Sequence, residues 1–469
     1  MLQSLRSRVF LHLPRIPCHR ARPIMRVSSP PITTYEDIWK FEPRRLVSSA
    51  SVDDICKAVA DATSAGLRVR AMGFGNSWPV HVVTRDVLVN IRKLNRIHAI
   101  DPVRKTVVVD AGVRLGDLTR ALAQKNLSLP SLSFLPDVTI GGAVATATHG
   151  TSPNWGTISD FVRSMDVVLA SGEIRTFGPE SPPGDFRAAR VAIGMLGIIV
   201  KLELQVVDRP WVRFSQEQMD LQTLRERLPS LLAKYEHIWV HWILGEDQTK
   251  VELLEKRTAP EHGFHPYAAI WRPSNRIVVQ LLNRLGVSTS SLLQWRDRLV
   301  GLLKGNKSGG ALATLRGSQD QSFMSMQYAV PASQLDMAID RIRNSNFAAQ
   351  NSGRIVEFKF LKHQDLSYLG PNSDEDAVGF NLWWLVDNAV RSTVFEPFEK
   401  LMKGMGARPH WGKAHTPPSI EEMRAAYPRW AEFEAVWARL DPKGTFSIFR
   451  PDSTATASPS SPAIEMTSS

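Results

Sequence analysis

The sequence predicts an α+β protein of two domains, and three observations point there. The chain has 469 residues, more than one ordinary domain holds. Strand-like runs alternate with helical spacings through its first half. Pro210 then separates that half from a second one richer in tryptophan.

Ser51 and Asp54 form a Ser-x-x-Asp start signal, so a helix is expected to about residue 65 with Ile55, Val59 and Ala62 on one face. Gly66 ends it. A strand over 67–71 leads into the loop Gly73-Phe74-Gly75-Asn76-Ser77. Strands at 87–91 and 106–109 follow, and Leu115, Leu118 and Leu122, spaced three then four apart, mark a helix. Strands at 165–169 and 173–177 are joined through Ala170-Ser171-Gly172 as a hairpin turn, and a strand over 198–206 closes this half. Beyond Pro210, strands are expected at 237–244, 250–255, 355–360 and 379–386. A helical region at 276–303, broken near Gly286, and a helix at 394–405 complete the second half. The division is therefore a leader at 1–42, domains at 43–210 and 211–452, and a disordered Ser/Thr/Ala/Pro-rich tail at 453–469. No internal repeat is present.

Hydrophobic residues make up 43% and charged residues 22% of the chain, enough for a sizeable core in a folded soluble protein. No run approaches the roughly 20 apolar residues that cross a bilayer, so no transmembrane segment is expected. The longest candidate, 191–200, is closed by Lys201 and Glu203 and reads as a buried strand with its approach. The net charge is +11, but no basic run is interleaved with aromatics, which argues against nucleic acid as a partner. With two cysteines, Cys18 and Cys56, there is neither a disulfide framework nor a thiolate metal site. No other metal-ligand cluster, serine triad or carboxylate pair stands out. Arg6, Arg8, Arg15, Arg20, Arg22 and Arg26 precede the first acid, Glu36, so the leader resembles an organelle presequence. Mitochondrial delivery is expected from it, with a disordered extension on a cytoplasmic protein as the alternative; Met25 is a second possible start.

Small residues fill 139–150: Thr139-Ile140-Gly141-Gly142-Ala143-Val144-Ala145-Thr146-Ala147-Thr148-His149-Gly150. A core helix calls for bulkier apolar residues, and a strand disfavours Gly141-Gly142. Such a ribbon lets another molecule lie against main chain, whose N–H groups and nearby hydroxyls then hydrogen-bond to it. A tight glycine turn between strands is the other reading.

The ribbon resembles the flavin-binding segment of the vanillyl-alcohol oxidase type (PCMH-type) flavoproteins, and within them it is most similar to the aldonolactone oxidases. Other pieces fit in order. Residues 70–77, with Gly73 and Gly75, resemble the pyrophosphate loop, and Met195-Leu196-Gly197-Ile198-Ile199 resembles the strand that touches the flavin and adenine. Glu357-Phe358-Lys359 resembles the acid-x-base pair of the substrate strand, and Pro409-His410-Trp411-Gly412-Lys413 the C-terminal signature. The likeness spans about residues 40–452 and implies a PCMH-type FAD-binding domain followed by a mixed substrate, or cap, domain. It implies FAD contacts from Gly73, Phe74, Gly75, Asn76, Ser77, Ser133, Thr139, Gly142, Ala143, Val144, Ala145, His149, Gly150, Ile198 and Ile199. The glycine loop suits a diphosphate, which needs unhindered backbone donors. It is not a Rossmann fingerprint, because no third glycine opens a helix at the right offset.

The sequence also departs from the resemblance. Asn76 stands where the oxidases commonly have a histidine bonded to the flavin; an amide nitrogen is a poor nucleophile, so the FAD is expected to be non-covalent. Ser133 replaces the glycine of oxygen-using members and the alanine of dehydrogenases, which leaves the acceptor open between O2 and another species. Phe134 replaces a small polar substrate contact and suggests a less polar substrate. Lys359 replaces an arginine, keeping the charge and losing the bidentate fork.

The resemblance implies oxidation of a hydroxyl-bearing carbon in a small molecule, with hydride passing to flavin N5 and the hydroxyl proton lost. Sugar-lactone oxidation yielding hydrogen peroxide is the leading expectation. The alternatives are a dehydrogenase, a specialised-metabolism oxidase, or a flavin-binding protein without activity. In the leading reading Lys413 is the cation near the flavin pyrimidine, Glu357 holds or deprotonates the hydroxyl, Lys359 supports that carboxylate or binds substrate, and His410 assists. Glu357 and Lys359 also suit an exposed ion pair on a strand, His410 a packed boundary residue and Lys413 a solvated loop. Trp239, His241, Trp242, Trp383 and Trp384 suit either a pocket or a core.

Overall fold

A computed structural model describes residues 31–34, 40–78, 80–133, 135–257, 307–310, 323–385 and 391–449. The expected helical region at 276–303 and Phe134 lie outside the described residues.

A three-stranded and a five-stranded sheet organise the first half, beside two-stranded pairings of 32–33 with 40–41 and of 127–128 with 207–208. Strands β1 (Arg45–Val47), β2 (Val69–Met72) and β3 (Val87–Asn90) run parallel in the order β1-β3-β2, with helix α1 (Val52–Ser64) between the first two in sequence. Ser51 caps α1, but only half of the expected box forms, because the Asp54 carboxylate is held by Ser49 Oγ at 2.7 Å. Ile55, Ala58, Val59 and Ala62 are buried on the helix face the spacing predicts.

The second sheet is antiparallel. It comprises β4 (Ile97–Asp101), β5 (Thr106–Asp110), β6 (Val162–Val168), β7 (Ile174–Phe177) and β8 (Ile198–Gln205), ordered β7-β6-β8-β5-β4. Val168, Ile198 and Val200 share a core with Val69, Val87 and Val89, which joins the two sheets. Another cluster packs α2 (Leu115–Ala123) and α3 (Ile140–Ala145) with Val107, Val109, Leu202 and Leu204.

Helix α3 corrects the reading of the small-residue ribbon, which is neither extended nor a bare turn. Thr139 accepts from Gly142 N at 3.2 Å and starts a helix, while Ile140 and Val144 anchor it in the core. Gly141 is small because α3 presses on the end of β5: its N–H donates to Ala111 O at 2.8 Å, and a Cβ there would stand 2.8 Å from Ala111 Cβ. The face bearing Gly142, Ala145 and Thr146 is left half-buried.

The second half is built on one antiparallel sheet of eight strands. It contains β9 (Trp211–Asp220), β10 (His237–Ile243), β11 (Gln248–Arg257), β12 (Lys307–Gly310), β13 (Phe323–Pro331), β14 (Ile355–Leu361), β15 (Ala377–Leu385) and β16 (Arg408–Pro409), in the order β12-β9-β11-β10-β14-β15-β13-β16. One face buries Val240, Trp242, Val251, Val356, Phe358, Phe380 and Met326 against Leu224, Leu228 and Leu231 of a helix at Leu221–Lys234 and Ile339 of a helix at Leu335–Arg343. Strand alternation turns Trp239, His241, Gln327, Glu357, Lys359 and Asn381 to the other face. After β16 the chain returns to the first half, where Trp411, Trp430 and Phe433 enter its core. Val69 N donates to Thr445 O at 2.9 Å, and the Arg70 guanidinium donates to Phe446 O at 2.6 Å.

Candidate active site

One wall of the site is main chain. The loop at 73–77 presses on the cap of α3, since a Cβ at Gly73 would lie 2.3 Å from Thr139 Oγ1. Gly75 takes a φ of +74°, which favours glycine. Asn76 is held by a short hydrogen bond from Nδ2 to Asp137 O, and the Phe74 ring lies under Arg114 at 4.7 Å. Gly73, Phe74, Asn76, Ser77, Ser133, Gly142, Ala145 and Ile199 are half-buried. Gly75, Thr139, Ala143, Val144, His149, Gly150 and Ile198 are buried. Val144 and Ile198 commit their side chains to the core, which leaves only their main chain for a ligand to meet. A Cβ at Gly142 would meet only Thr139 Oγ1, at 3.0 Å, and is otherwise in open space. A helix face with almost no side chain, beside a glycine loop, fits the flat ring and diphosphate of FAD.

The facing wall is a row of polar side chains across the large sheet. Gln327, Asn381, Glu357, His241 and Lys250 occupy directly paired positions on β13, β15, β14, β10 and β11. Asn381 Nδ2 donates to Glu357 Oε2 at 2.7 Å. Lys413 Nζ donates to Asn381 Oδ1 at 2.6 Å and to Gln327 Oε1 at 2.7 Å, and Ser325 Oγ donates to Asn381 Oδ1 at 2.9 Å. Lys359 Nζ is 3.5 Å from Glu357 Oε2, and His241 Nδ1 is 3.6 Å from Glu357 Oε1. Lys359 also lies over the Trp239 ring at 5.1 Å. Glu357 is 1% exposed, so the exposed-ion-pair alternative does not hold.

Lys413 lies on the turn after β16, where Lys413 N donates to His410 O at 2.9 Å. It is half-buried rather than solvated. Burial lowers its pKa well below the ordinary lysine value, Lys359 adds to that, and Glu357 opposes it. His410 stands 5.3 Å from His149 between ring centres. Burial, with Lys413 and His149 nearby, holds the His410 imidazole neutral over the ordinary pH range. Its Nδ1 accepts from Gly412 N at 3.0 Å, which leaves the proton on Nε2.

The structure therefore brings Glu357, Lys359, His410 and Lys413 together opposite α3 and His149. Sequence reasoning missed Gln327, Asn381 and Ser325, and left His241 open. Asn381 had a usable signal, since it lies two residues beyond Gly379 in an expected strand; Gln327 lay in a stretch that was not read as a strand. Trp242 faces the core and Trp239 faces the site, which divides that pair of alternatives.

Two family profiles match the chain: the one described as FAD binding domain over residues 43–178, and the one described as D-arabinono-1,4-lactone oxidase over residues 202–448. The chain belongs to the D-arabinono-1,4-lactone oxidase family. An L-gulonolactone oxidase from Bos taurus is 27% identical over 421 residues, covering 86% of this chain and 93% of that protein. An L-gulono-1,4-lactone dehydrogenase from Mycobacterium tuberculosis is 27% identical over 427 residues, covering 86% and 94%. Among solved structures, a cholesterol oxidase mutant from Brevibacterium sterolicum superposes with a TM-score of 0.69 at 13% identity, over 89% of this chain and 95% of that one, and shares the fold. As a member of this lactone oxidase family, the chain is an FAD-dependent oxidoreductase acting on the CH–OH group of a small molecule. None of its described helices is long and apolar enough to cross a membrane.

Proposed function

We propose that this chain oxidises a sugar-1,4-lactone at a hydroxyl-bearing carbon, using non-covalent FAD and O2. The observation that carries the reading is the line Glu357–Asn381–Lys413, hydrogen-bonded throughout and next to Gly412, where a Cβ would stand 3.2 Å from Thr146 Oγ1 at the end of α3. FAD, when bound, supplies the two-electron acceptor. Glu357 takes the hydroxyl proton of the substrate, with Asn381 Nδ2 donating to Oε2 and fixing the direction of the carboxylate. Lys359 pairs with that carboxylate at 3.5 Å, and its ammonium lies over the Trp239 ring. Lys413 places positive charge where negative charge builds during the reaction. His410 stays neutral and orients the reactants.

Anaerobic mixing with L-gulono-, L-galactono- and D-arabinono-1,4-lactone tests the reading. At least one lactone should bleach the flavin, and admitting air should then release peroxide. Bleaching only by hydrophobic alcohols would favour the second reading, a less polar substrate, which Phe134 motivates. Bleaching without peroxide on aeration would move the protein to the dehydrogenases.

A further inference from the structure

Gln327 touches both walls of the site, and its two contacts fix each other. Its Nε2 lies 2.7 Å from His149 Nε2, and its Oε1 lies 2.7 Å from Lys413 Nζ. His149 Nδ1 is 2.7 Å from Gly150 O, a group that only accepts, so the ring proton is on Nδ1. Burial, with Lys413 nearby, lowers the His149 pKa to about 3 and keeps the ring neutral, so Nε2 is an acceptor. One orientation of the Gln327 amide then serves both neighbours: NH2 toward His149 and carbonyl toward Lys413. Gly379 makes room for this arrangement. A Cβ there would stand 2.3 Å from Gln327 Nε2 and 2.9 Å from its Cδ.

We propose that Gln327 is a positioning residue that couples the His149–Gly150 turn of the flavin-side wall to the ammonium of Lys413. The coupling keeps Lys413 charged and aimed while the two halves of the protein are docked. It rests on the reading of Lys413 as the site cation. The charged and titratable groups facing Lys413 are Lys359 and Glu357 from β14, His149 from the flavin side and His410 from its own segment. One acid faces two lysines, so the neutral carbonyls of Gln327 and Asn381 supply much of what holds the proton on Lys413.

Gln327→Met and Gln327→Glu separate this role from a merely structural one. Met keeps the side-chain length and removes the acceptor, so Lys413 should lose its proton about one pH unit lower. Glu puts a charge beside the ammonium and should move the same ionisation upward. Two readouts follow it: the alkaline limb of the anaerobic flavin-reduction rate, and the pH dependence of Lys413 acetylation by acetic anhydride, read by mass spectrometry without turnover. Shifts of opposite sign support the coupling. Shifts of the same sign, or none, in folded variants overturn it. Lys413→Met is the control for the underlying reading: if it reduces its flavin as fast as the parent, that reading fails. If it abolishes the alkaline limb while both Gln327 variants behave like the parent, only the coupling fails.

Discussion

Asn381 stands between the acid and the cation of the site: its Nδ2 donates to Glu357 Oε2 at 2.7 Å, and its Oδ1 accepts from Lys413 Nζ at 2.6 Å. One side chain thus fixes two groups that arrive from different parts of the chain. Glu357 comes from a neighbouring strand at the directly paired position, and Lys413 from the segment after β16. Asn381→Leu keeps the volume and strips both contacts. A charge-assisted hydrogen bond contributes about 1.5–3 kcal/mol, so flavin reduction should slow by about 10- to 100-fold. Stopped-flow absorbance measures this, and a rate within about twofold of the parent would remove Asn381 from the working site. Asn381→Asp should also be slow at neutral pH, because two adjacent carboxylates cannot both stay ionised cheaply.

Gly379 controls whether Gln327 lies flat over the sheet. A methyl at that position would sit 2.3 Å from Gln327 Nε2, inside any contact distance. The flexible end of a glutamine would ordinarily swing away at little cost, but here both ends of the amide are bound. Gly379→Ala is therefore expected to slow reduction about as much as Gln327→Met, while Gly379→Ala combined with Gln327→Met adds little further loss. Additive losses in that double-mutant cycle would show that the two residues act separately.

The contact of Asn76 with Asp137 bears on how the flavin is held. The amide Nδ2 donates to a backbone carbonyl, and an amide at residue 76 is a poor nucleophile toward the cofactor. Acid precipitation of the yellow protein should leave a white pellet and a yellow supernatant. Colour that stays with the precipitate, surviving a wash in denaturant, would rule out non-covalent binding.

Where contacts are local, the sequence announced them. Leu115, Leu118 and Leu122 are all buried on α2, and the alternation that put Glu357 and Lys359 on one face of a strand is what the sheet shows. The small-residue ribbon was legible as a surface poor in side chains but not as a helix, because its weak propensity is overridden by the Thr139 cap and the docking of Ile140 and Val144. Gln327 was hidden for a different reason. The run Met324-Ser325-Met326-Gln327-Tyr328 alternates as a strand should, yet nothing in it says that residue 327 pairs with residue 381. Register across the sheet is a long-range property, and the partners of Lys413 depend on it.

Asp160 offers a stability test outside the site. It is buried where the first half meets residues 370–373: its Oδ2 accepts from Thr157 N at 2.6 Å and from Asn372 Nδ2 at 3.2 Å. Burial dominates over these donors and raises its pKa from 3.8 to about 6. The folded chain therefore binds more protons than the unfolded chain between those values. The resulting stabilisation is full below about pH 4 and is lost as pH rises through 6, a change of roughly 3 kcal/mol. Asp160→Asn keeps an acceptor oxygen for Thr157 N and cannot ionise. It should melt close to the parent at pH 3.5 and several degrees above it at pH 7.5. Thermal unfolding at the two pH values decides the matter, and an equal difference at both would mean that the Asp160 carboxyl does not titrate between them.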